Sequence, residues 1–217
     1  MLSFTEENYL KAIYHLSKEG SEPVLTNDLA KSVRTKAASA TDMVKKLAAK
    51  KLISYRKYYG ANLTTKGKTE ALMVIRKHRL WETFLVQALG FMWDEVHEVA
   101  EQLEHIHSKR LIEKLDEFLN YPKTDPHGDP IPDRNGKIQQ TAAISCDQLE
   151  KGKSAIITAV KDSSGSLLKL LDKIGAHPGK KIKIIACEPY DKSVEALLDG
   201  QRVFISHEVS KNILVKE

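Results

Sequence analysis

Hydrophobic residues recur every three or four positions through the first half of the chain, which is the spacing of amphipathic helices. A first helix is predicted from Thr5, as its cap, to a stop at Gly20. A short helix follows over residues 27–33, capped by Thr26, and a longer one follows over residues 36–50. The apolar positions of the longer helix keep the i, i+3, i+4, i+7 rule and are Ala40, Met43, Val44 and Leu47.

Residues that favour strands then lie on both sides of Gly60 over residues 52–64, which predicts a hairpin with a basic, aromatic tip. Two short helices, a longer helix and a basic hairpin, in this order, are typical of a winged helix-turn-helix, whose longer helix enters the major groove of DNA. The alternative for the same charges is a solvated basic face on a helical bundle. The DNA-binding candidates are Thr26, Arg34, Thr35, Lys36, Ala38, Ser39, Thr41, Lys45, Arg56, Lys57 and Tyr58.

The middle of the chain predicts three more helices, a long one that ends near Gly90 and two over residues 93–107 and 108–119. Their apolar share is larger than one domain face needs, which favours a dimer interface. A loop rich in Pro, Gly and Asp over residues 120–136 ends this helical region.

The last third alternates short strand-like runs with turns and one helix, which predicts a small β-barrel. The strand-like runs are residues 154–160, 181–186, 193–197 and 201–205, and the helix covers residues 166–173. The predicted fold class is therefore mainly α with small β. A winged helix-turn-helix is expected in residues 1–65, a helical metal-binding and dimerisation domain in 66–140, and a small β-barrel in 141–217.

Composition narrows the class of protein. Of the 217 residues 41% are hydrophobic, and Cys146 and Cys187 are the only cysteines, too few for a disulfide framework. The sequence has no apolar run near the roughly 20 residues of a membrane span and no signal peptide, so we expect a soluble, cytoplasmic protein with no membrane partner. The net charge is +5, and between Lys31 and Lys68 eleven basic residues face one acid, Asp42. That local field suits a polyanion such as DNA.

Candidate metal ligands concentrate after the long helix. Four donors share one face of the helix predicted over residues 93–107, and two more stand at i, i+4 spacing on the helix before it. These six donors are His97, Glu101, Glu104, His105, His78 and Glu82. Mixed imidazole and carboxylate donors suit Mn(II), Fe(II), Co(II) or Zn(II). The alternative is satisfied histidines beside solvated glutamates. The sequence lacks a nucleophile elbow, a phosphate-cradling glycine loop and an HExxH motif, so it does not favour an enzyme.

Several motifs in one order carry a family resemblance. They are Arg76-Lys77-His78-Arg79-Leu80 with Glu82, then His97, Glu101, Glu104 and His105, then Asp125-Pro126-His127-Gly128 with Pro130-Ile131-Pro132. Together with the wing-helix module, they resemble the diphtheria toxin repressor and manganese transport regulator family. The C-terminal part resembles the SH3-like FeoA-type barrel of its longer members. The resemblance implies a homodimer that binds double-stranded operator DNA when loaded with Fe(II) or Mn(II), usually to repress metal-uptake genes.

The resemblance also implies metal ligands. A primary site would use Asn8, Glu101, Glu104 and His105; an ancillary site would use His78, Glu82 and His97; the loop would add Asp125 and His127, with Asp162 as a weaker candidate. Glu101 stands where iron-type members carry Cys, which favours Mn(II), with Fe(II) next and Zn(II) or Co(II) in vitro. Asn8 and Lys11 depart from the family's acidic positions and should weaken cation binding. The alternative function is an adaptor protein with a structural zinc and a partner-recruiting barrel.

Overall fold

The computed structural model describes residues 2–139 and 142–217 and divides into two compact units. The first unit contains the residues up to His78, Glu101–Ile112 and Pro132–Ile138. The second contains Arg79–Ala100, Glu113–Ile131 and the residues from Gln139 onward. The long helix and the segments after it therefore contribute to both units.

The first unit begins with the predicted order of three helices, a hairpin and a further helix. Its elements are α1 (Phe4–Leu16), α2 (Thr26–Ser32), α3 (Ala37–Ala49), β1 (Ile53–Arg56), β2 (Gly60–Leu63) and the start of α4 (Thr65–Leu89). The strands β1 and β2 are antiparallel, with Ile53 opposite Leu63. Leu10, Leu29, Val44 and Leu47 are fully buried, so the apolar stripes of the three helices meet in one core.

Helix α1 begins earlier than the sequence predicted. Its cap is Ser3, whose hydroxyl accepts from the backbone N–H of Glu6 while the Glu6 carboxylate accepts from the backbone N–H of Ser3. This reciprocal capping box satisfies two backbone donors, so Thr5 lies inside the helix and its prediction as cap was wrong. Thr26 is likewise the first residue of α2 rather than its cap, which is Leu25.

The helix predicted over residues 93–107 is shorter than expected. The observed α5 is Val96–Leu103, and α6 follows at Lys109–Phe118. Trp93 lies before the helix and packs into the core of the second unit. Glu104 and His105 lie in the turn after it, where both are buried and bond to side chains of the first unit rather than continuing a helical face.

The second unit is built on an antiparallel sheet with the strand order β3-β8-β4-β5-β6-β7. The strands are β3 (Ile144–Ser145), β4 (Ser154–Val160), β5 (Lys181–Cys187), β6 (Val194–Leu198), β7 (Gln201–Ile205) and β8 (Ile213–Lys216). The predicted helix is α7 (Gly165–Ile174), and a 3-10 turn (Cys146–Gln148) and the short α8 (His207–Ser210) complete the unit. The sequence had not marked β3 and β8, which pair with each other at the sheet edge.

The fold class is confirmed, since the structure is helix-rich with a small antiparallel sheet. Among the described helices, none has the length and apolar character that crossing a bilayer requires. The ranges of the three domains drawn from the sequence stay a prediction.

Candidate metal centres and DNA-binding surface

A cluster of three metal-type donors lies inside the second unit. Glu82 comes from α4, and Asp125 and His127 come from the turn that follows α6. One ligand atom of each lies within 4.8 Å of those of the other two, and all three residues are buried. Two carboxylates and an imidazole gathered away from water form a donor set for a divalent cation.

Backbone geometry places Asp125 and His127 on one side of a tight turn. Asp125 Oδ1 accepts the backbone N–H groups of His127 at 2.9 Å and Asp129 at 3.0 Å. Gly128 completes the turn with a φ of 89°, and the carbonyl oxygen of His127 accepts the N–H of Val160 in β4 at 3.0 Å. The ligand turn is therefore tied to the sheet of the same unit.

The His127 ring is oriented by the backbone. Its Nε2 donates to the carbonyl oxygen of Trp93 at 2.7 Å, which leaves Nδ1 facing Glu82 Oε2 at 3.8 Å and Asp125 Oδ1 at 4.0 Å. His97 approaches the other oxygen of Glu82, with 3.4 Å between Nδ1 and Oε1. His97, which is half exposed, thus lies at the edge of the buried cluster.

The electrostatics of the cluster favour a cation. Burial and then the carboxylates of Asp129 and Glu82 raise the pKa of Asp125 to about 7, although the Arg79 guanidinium opposes the rise. Burial lowers the pKa of His127, but the Glu82 carboxylate and then that of Asp125 outweigh it and bring this pKa to about 8. The group holds protons tightly because its negative charges are crowded in a poorly solvated place. A divalent ion would relieve the same repulsion, so these residues fit one.

A second set of predicted ligands lies in the first unit and is held by ion pairs. Glu104 is fully buried, and its Oε2 lies 2.6 Å from Nδ1 of His78. The Lys11 ammonium lies between the two Glu104 oxygens, at 2.7 and 2.8 Å. Burial raises the pKa of Glu104, but the His78 hydrogen bond and the Lys11 charge outweigh it, and this pKa lies below its ordinary value.

His105 contacts Glu7 of helix α1 through Nδ1 and faces Glu104 Oε1 with Nε2, at 3.7 Å. Its Nδ1 lies 2.6 Å from Glu7 Oε2, and the Phe4 ring stacks on the imidazole at 4.8 Å between centroids. Lys77 and His107 approach the other oxygen of Glu7, at 3.5 and 3.7 Å.

The structure differs here from the predicted single row of ligands on one helix. Because α5 ends at Leu103, Glu104 and His105 turn toward α1, whereas His97 contacts Glu82. Asn8 is exposed on α1, and Glu101 is half exposed with an oxygen 3.4 Å from Lys11 Nζ. Among the described residues the buried three-donor cluster does not include Asp162, whose carboxylate accepts from Ser164.

Sequence reasoning missed Glu7 as a partner of this set and did not foresee how closely Lys11 engages it. The signal was their i, i+4 spacing, which places both on the face of α1 that meets Glu104 and His105. The acidic start of α1 was interpreted only as a helix-start pattern, and spacing within one helix does not reveal a partner some 90 positions away.

The predicted DNA-binding residues lie mostly on the surface. Exposed members are Arg34, Thr35, Lys36, Ala38, Ser39, Lys45, Arg56, Lys57 and Tyr58, while Thr26 and Thr41 are half-buried. At the hairpin tip, the Lys57 ammonium lies 5.0 Å from the Tyr58 ring centroid and Arg56 lies 4.5 Å from that of Tyr59. A basic, aromatic tip of this kind suits contacts with a phosphate backbone.

The turn between α2 and α3 fixes the presentation of this surface. Arg34 adopts a left-handed conformation with a φ of 51°, and the N–H of Thr35 donates to the carbonyl of Ala30 at 2.9 Å. Lys46 and Lys50, further along α3, are held instead by the buried Glu6 at 3.1 and 2.7 Å. The front of α3 and the hairpin tip therefore carry positive charge that Glu6 does not neutralise.

A winged helix-turn-helix and a buried cluster of imidazole and carboxylate donors in one chain are the arrangement expected of a metal-responsive DNA-binding regulator. Three family models match successive parts of the chain. They are the iron dependent repressor N-terminal DNA binding domain over residues 1–61, the iron dependent repressor metal binding and dimerisation domain over 64–133, and the FeoA domain over 145–217.

The chain is similar to individual proteins of the same kind. It is 37% identical over 128 residues to the iron-dependent repressor IdeR of Mycobacterium leprae, and the aligned region covers 59% of this chain and 55% of that protein. The chain thus spans about half the length of the curated relatives it matches. Solved structures include a manganese-dependent transcriptional repressor in complex with manganese, 31% identical with a TM-score of 0.84 over 97% of this chain and 98% of the other. ScaR with bound cadmium is 31% identical with a TM-score of 0.77, over 98% and 99% of the two chains.

The chain belongs to the diphtheria toxin repressor and manganese transport regulator family of metal-dependent transcriptional repressors. The family resemblance predicted from the motifs is confirmed. The comparisons support the regulator hypothesis and give no support to an adaptor with a structural zinc.

Proposed function

We propose that this protein is a metal-dependent repressor that binds double-stranded operator DNA as a homodimer. The observation that carries the proposal is the buried cluster of Glu82, Asp125 and His127, whose donors lie within 4.8 Å of one another in a chain that also presents a basic winged helix. Metal binding at such a cluster draws charged segments together and alters how a regulator meets DNA.

Mn(II) is the proposed activating ion, with Fe(II) as the second candidate. The donors of the cluster are two carboxylates and one imidazole, with the His97 imidazole 3.4 Å from Glu82, and this set contains no thiolate. Carboxylate-rich sites suit harder divalent ions, whereas thiolates suit softer ones. The solved relatives carry manganese in one case and cadmium in another, and the curated relative is named as iron-dependent.

The dimer is proposed to form through the exposed apolar side chains near the end of α4 and on and after α6. These residues are Leu89, Phe91, Met92, Phe118 and Tyr121. The family model that covers this region is described as a dimerisation domain. Two copies related by a two-fold axis would present two α3 helices to a palindromic site.

For the remaining predicted ligands, the ancillary set of His78, Glu82 and His97 stays a prediction, and so does a primary site of Asn8, Glu101, Glu104 and His105.

A DNA-binding titration tests the proposed function. Chelator-treated protein is first used to select DNA duplexes from a random double-stranded library in the presence of Mn(II). Binding of the protein to the selected duplex is then measured with and without the ion. We expect Mn(II) to tighten binding at least tenfold in the intact chain and to have no effect in Glu82→Gln. The matched control is Glu150→Gln, at an exposed position of the same unit, which should respond like the intact chain. Metal-independent binding by the intact chain would contradict the proposal.

A further inference from the structure

The side chain of Lys11 occupies the position between carboxylates that a bound cation would take. Its Nζ lies 2.7 Å from Oε1 and 2.8 Å from Oε2 of Glu104, and 3.4 Å from Oε1 of Glu101. The Lys11 side chain is 14% exposed and that of Glu104 is 0% exposed. The contact is thus an enclosed ion pair that uses both oxygens of one carboxylate, rather than a loose surface pair.

A divalent ion and this ammonium compete for the same oxygens. An ion held by Glu104 would sit about 2.0–2.6 Å from a carboxylate oxygen, within the space that Lys11 Nζ fills. Both charges are positive and water is largely excluded, so their repulsion is poorly screened. Glu104 therefore holds one cation at a time, and the Lys11 ammonium is always near it because Lys11 is part of the chain.

Glu7, the acidic residue of α1 beside this ion pair, also has its partners within the chain. The Glu7 carboxylate lies 2.6 Å from His105 Nδ1, 3.5 Å from Lys77 Nζ and 3.7 Å from His107 Nδ1. The remaining bond of Glu104 goes to His78 Nδ1 at 2.6 Å. These bonds use only the Nδ1 atoms of His105 and His78, and Nε2 of His105 faces Glu104 Oε1 at 3.7 Å, so the histidines alone do not exclude a metal ion. The group that does not fit a divalent ion is the Lys11 ammonium, which contacts both oxygens of Glu104.

We propose that Lys11 is a built-in cation that replaces a metal ion at Glu104 and Glu101, so that metal control acts through the Glu82, Asp125 and His127 cluster. The proposal rests on the proposed function for the regulatory role of that cluster, but the assignment of Lys11 stands on its own contacts. Lys11 would fasten α1 to the turn after α5 whether or not metal is present.

Counting bound manganese tests the assignment. Chelator-treated full-length protein is titrated with Mn(II), and the free ion is followed by its electron paramagnetic resonance signal. We expect one tight site per chain in the intact protein and none in Glu82→Gln. Lys11→Glu should bind two and the double variant Lys11→Glu/Glu82→Gln one. Lys183→Glu, at an exposed position of β5, is the control for the charge change and should bind one.

The outcomes separate this assignment from the proposed function. Two Mn(II) sites in the intact chain, one of them lost in Glu104→Gln, would show that metal displaces the Lys11 ammonium and would overturn the assignment. A Lys11→Glu variant that gains no Mn(II) site would overturn it as well. If Lys11→Glu does not fold by circular dichroism, Glu104→Gln decides the question, since an unchanged count of one supports the assignment. If Glu82→Gln keeps its Mn(II) site and DNA binding does not respond to Mn(II), the proposed function is wrong. A Mn(II) site gained in Lys11→Glu would still support the role of Lys11 in that case.

Discussion

The Nε2 atom of His127 donates a hydrogen bond of 2.7 Å to the carbonyl oxygen of Trp93. A carbonyl only accepts, so Nε2 carries a proton and the lone pair of the neutral ring is on Nδ1, which faces Glu82 and Asp125. The bond thus selects the tautomer that can bind a metal ion. The Trp93 ring also stacks on His127, with 5.9 Å between centroids, which holds the ring plane.

Metal affinity should depend steeply on pH because the ligands must lose protons first. The pKa of His127 is raised to about 8 and that of Asp125 to about 7. Above pH 8 both groups are deprotonated, so affinity should be flat there. Between pH 8 and 7 one proton is displaced, and the apparent Kd for Mn(II) should rise about tenfold per pH unit, and more steeply below pH 7.

Titrations with Mn(II) at intervals from pH 6 to 8.5, under anoxic conditions, measure this profile. The matched control is the same series with His177→Gln, because His177 is a half-exposed histidine that lies 4.8 Å from the Trp93 ring without belonging to the cluster. Its profile should keep the same shape. An affinity that is constant from pH 6 to 8 would contradict the assignment of Asp125 and His127 as ligands.

Gly128 should be intolerant of any side chain. A Cβ at this position would lie 2.0 Å from the carbonyl oxygen of Thr158 and 2.5 Å from Cα of Ala159, both backbone atoms of β4. The φ of 89° adds the usual cost of a left-handed conformation. We expect Gly128→Ala to lower the free energy of unfolding by about 3 kcal/mol or more, and to weaken Mn(II) binding at least tenfold by shifting the ligand turn.

Gly179→Ala is the control for backbone conformation alone. Gly179 has a φ of 91°, and its Cβ would meet nothing within 4 Å. Its substitution should cost about 1–2 kcal/mol and leave the Mn(II) Kd unchanged. Chemical denaturation and metal titration of both variants distinguish the two costs, and equal losses would show that close packing against β4 is unimportant.

The Glu6 carboxylate should stabilise the first unit in a pH-dependent way. Burial raises its pKa, but the bonds from Lys50, the Ser3 backbone and Lys46 outweigh it and lower the pKa to about 2. A depressed folded-state pKa gives stability that is fully present above the ordinary value of about 4.5 and is lost as the pH falls toward 2. Because both lysines are partly exposed, we expect Glu6→Gln to cost only about 1–2 kcal/mol at pH 7.

Denaturant unfolding of the intact chain and Glu6→Gln at pH 7, 4.5 and 2.5 tests this. The difference between them should shrink as the pH falls. Glu208→Gln is the control, because Glu208 is exposed and its lysine partner lies three residues along the same chain segment, and it should change stability less at every pH. A difference that grows toward low pH would contradict the proposed role of Glu6.

The sequence predicts elements well where local periodicity decides them. The helix-helix-hairpin order of the DNA-binding region and the four longer strands of the sheet follow from apolar spacing alone. The end of α5 at Leu103 does not follow from apolar spacing, because Glu104 and His105 lie in a turn where they contact side chains of α1. Such partners are set by tertiary contacts, which periodicity within one segment does not contain.

The candidate metal site was likewise predictable from the sequence only in part. The donor types and their resemblance to a family identify Glu82, Asp125 and His127 as candidates, but only the fold brings the three within 4.8 Å. Conversely, the spacing rule places His97 and His105 on one face, whereas the structure pairs them with different carboxylates, Glu82 and Glu7. An i, i+4 rule describes neighbours on one helix and fails once the helix ends.

Lys45 on α3 should contribute to DNA affinity through a phosphate contact. Its side chain is exposed, and the Asp42 carboxylate is a weak partner, with 3.9 Å between Nζ and Oδ1. We expect Lys45→Ala to weaken operator binding about three- to tenfold and to reduce the slope of log Kd against log salt concentration by about 1, as for one lost phosphate contact. Fluorescence anisotropy at several salt concentrations measures both quantities.

Lys183→Ala removes the same charge from an exposed position of β5. It should change neither the affinity nor the salt slope. If the two variants behave alike, the positive charge acts through the overall field of the protein and not through a contact made by α3.

Phe118 should be central to the proposed dimer interface. Its side chain is 68% exposed, although its ring lies against Phe84 with 5.8 Å between centroids. An aromatic ring left in water at the end of a strongly amphipathic helix gains free energy when a second copy covers it. We expect Phe118→Asp to weaken dimerisation at least a hundredfold, since an unpaired carboxylate would be buried, as measured by sedimentation velocity over a range of concentrations.

Phe204→Asp is the matched control, because Phe204 on β7 is 73% exposed and lies outside the proposed interface. It should leave the dimer intact, and the thermal unfolding of both variants should show that neither loses its fold. With the dimer broken, Phe118→Asp should retain its Mn(II) site, whose ligands Glu82, Asp125 and His127 come from one chain, but should lose cooperative binding to a palindromic duplex. A Phe118→Asp protein that stays dimeric at micromolar concentration would place the interface on another surface.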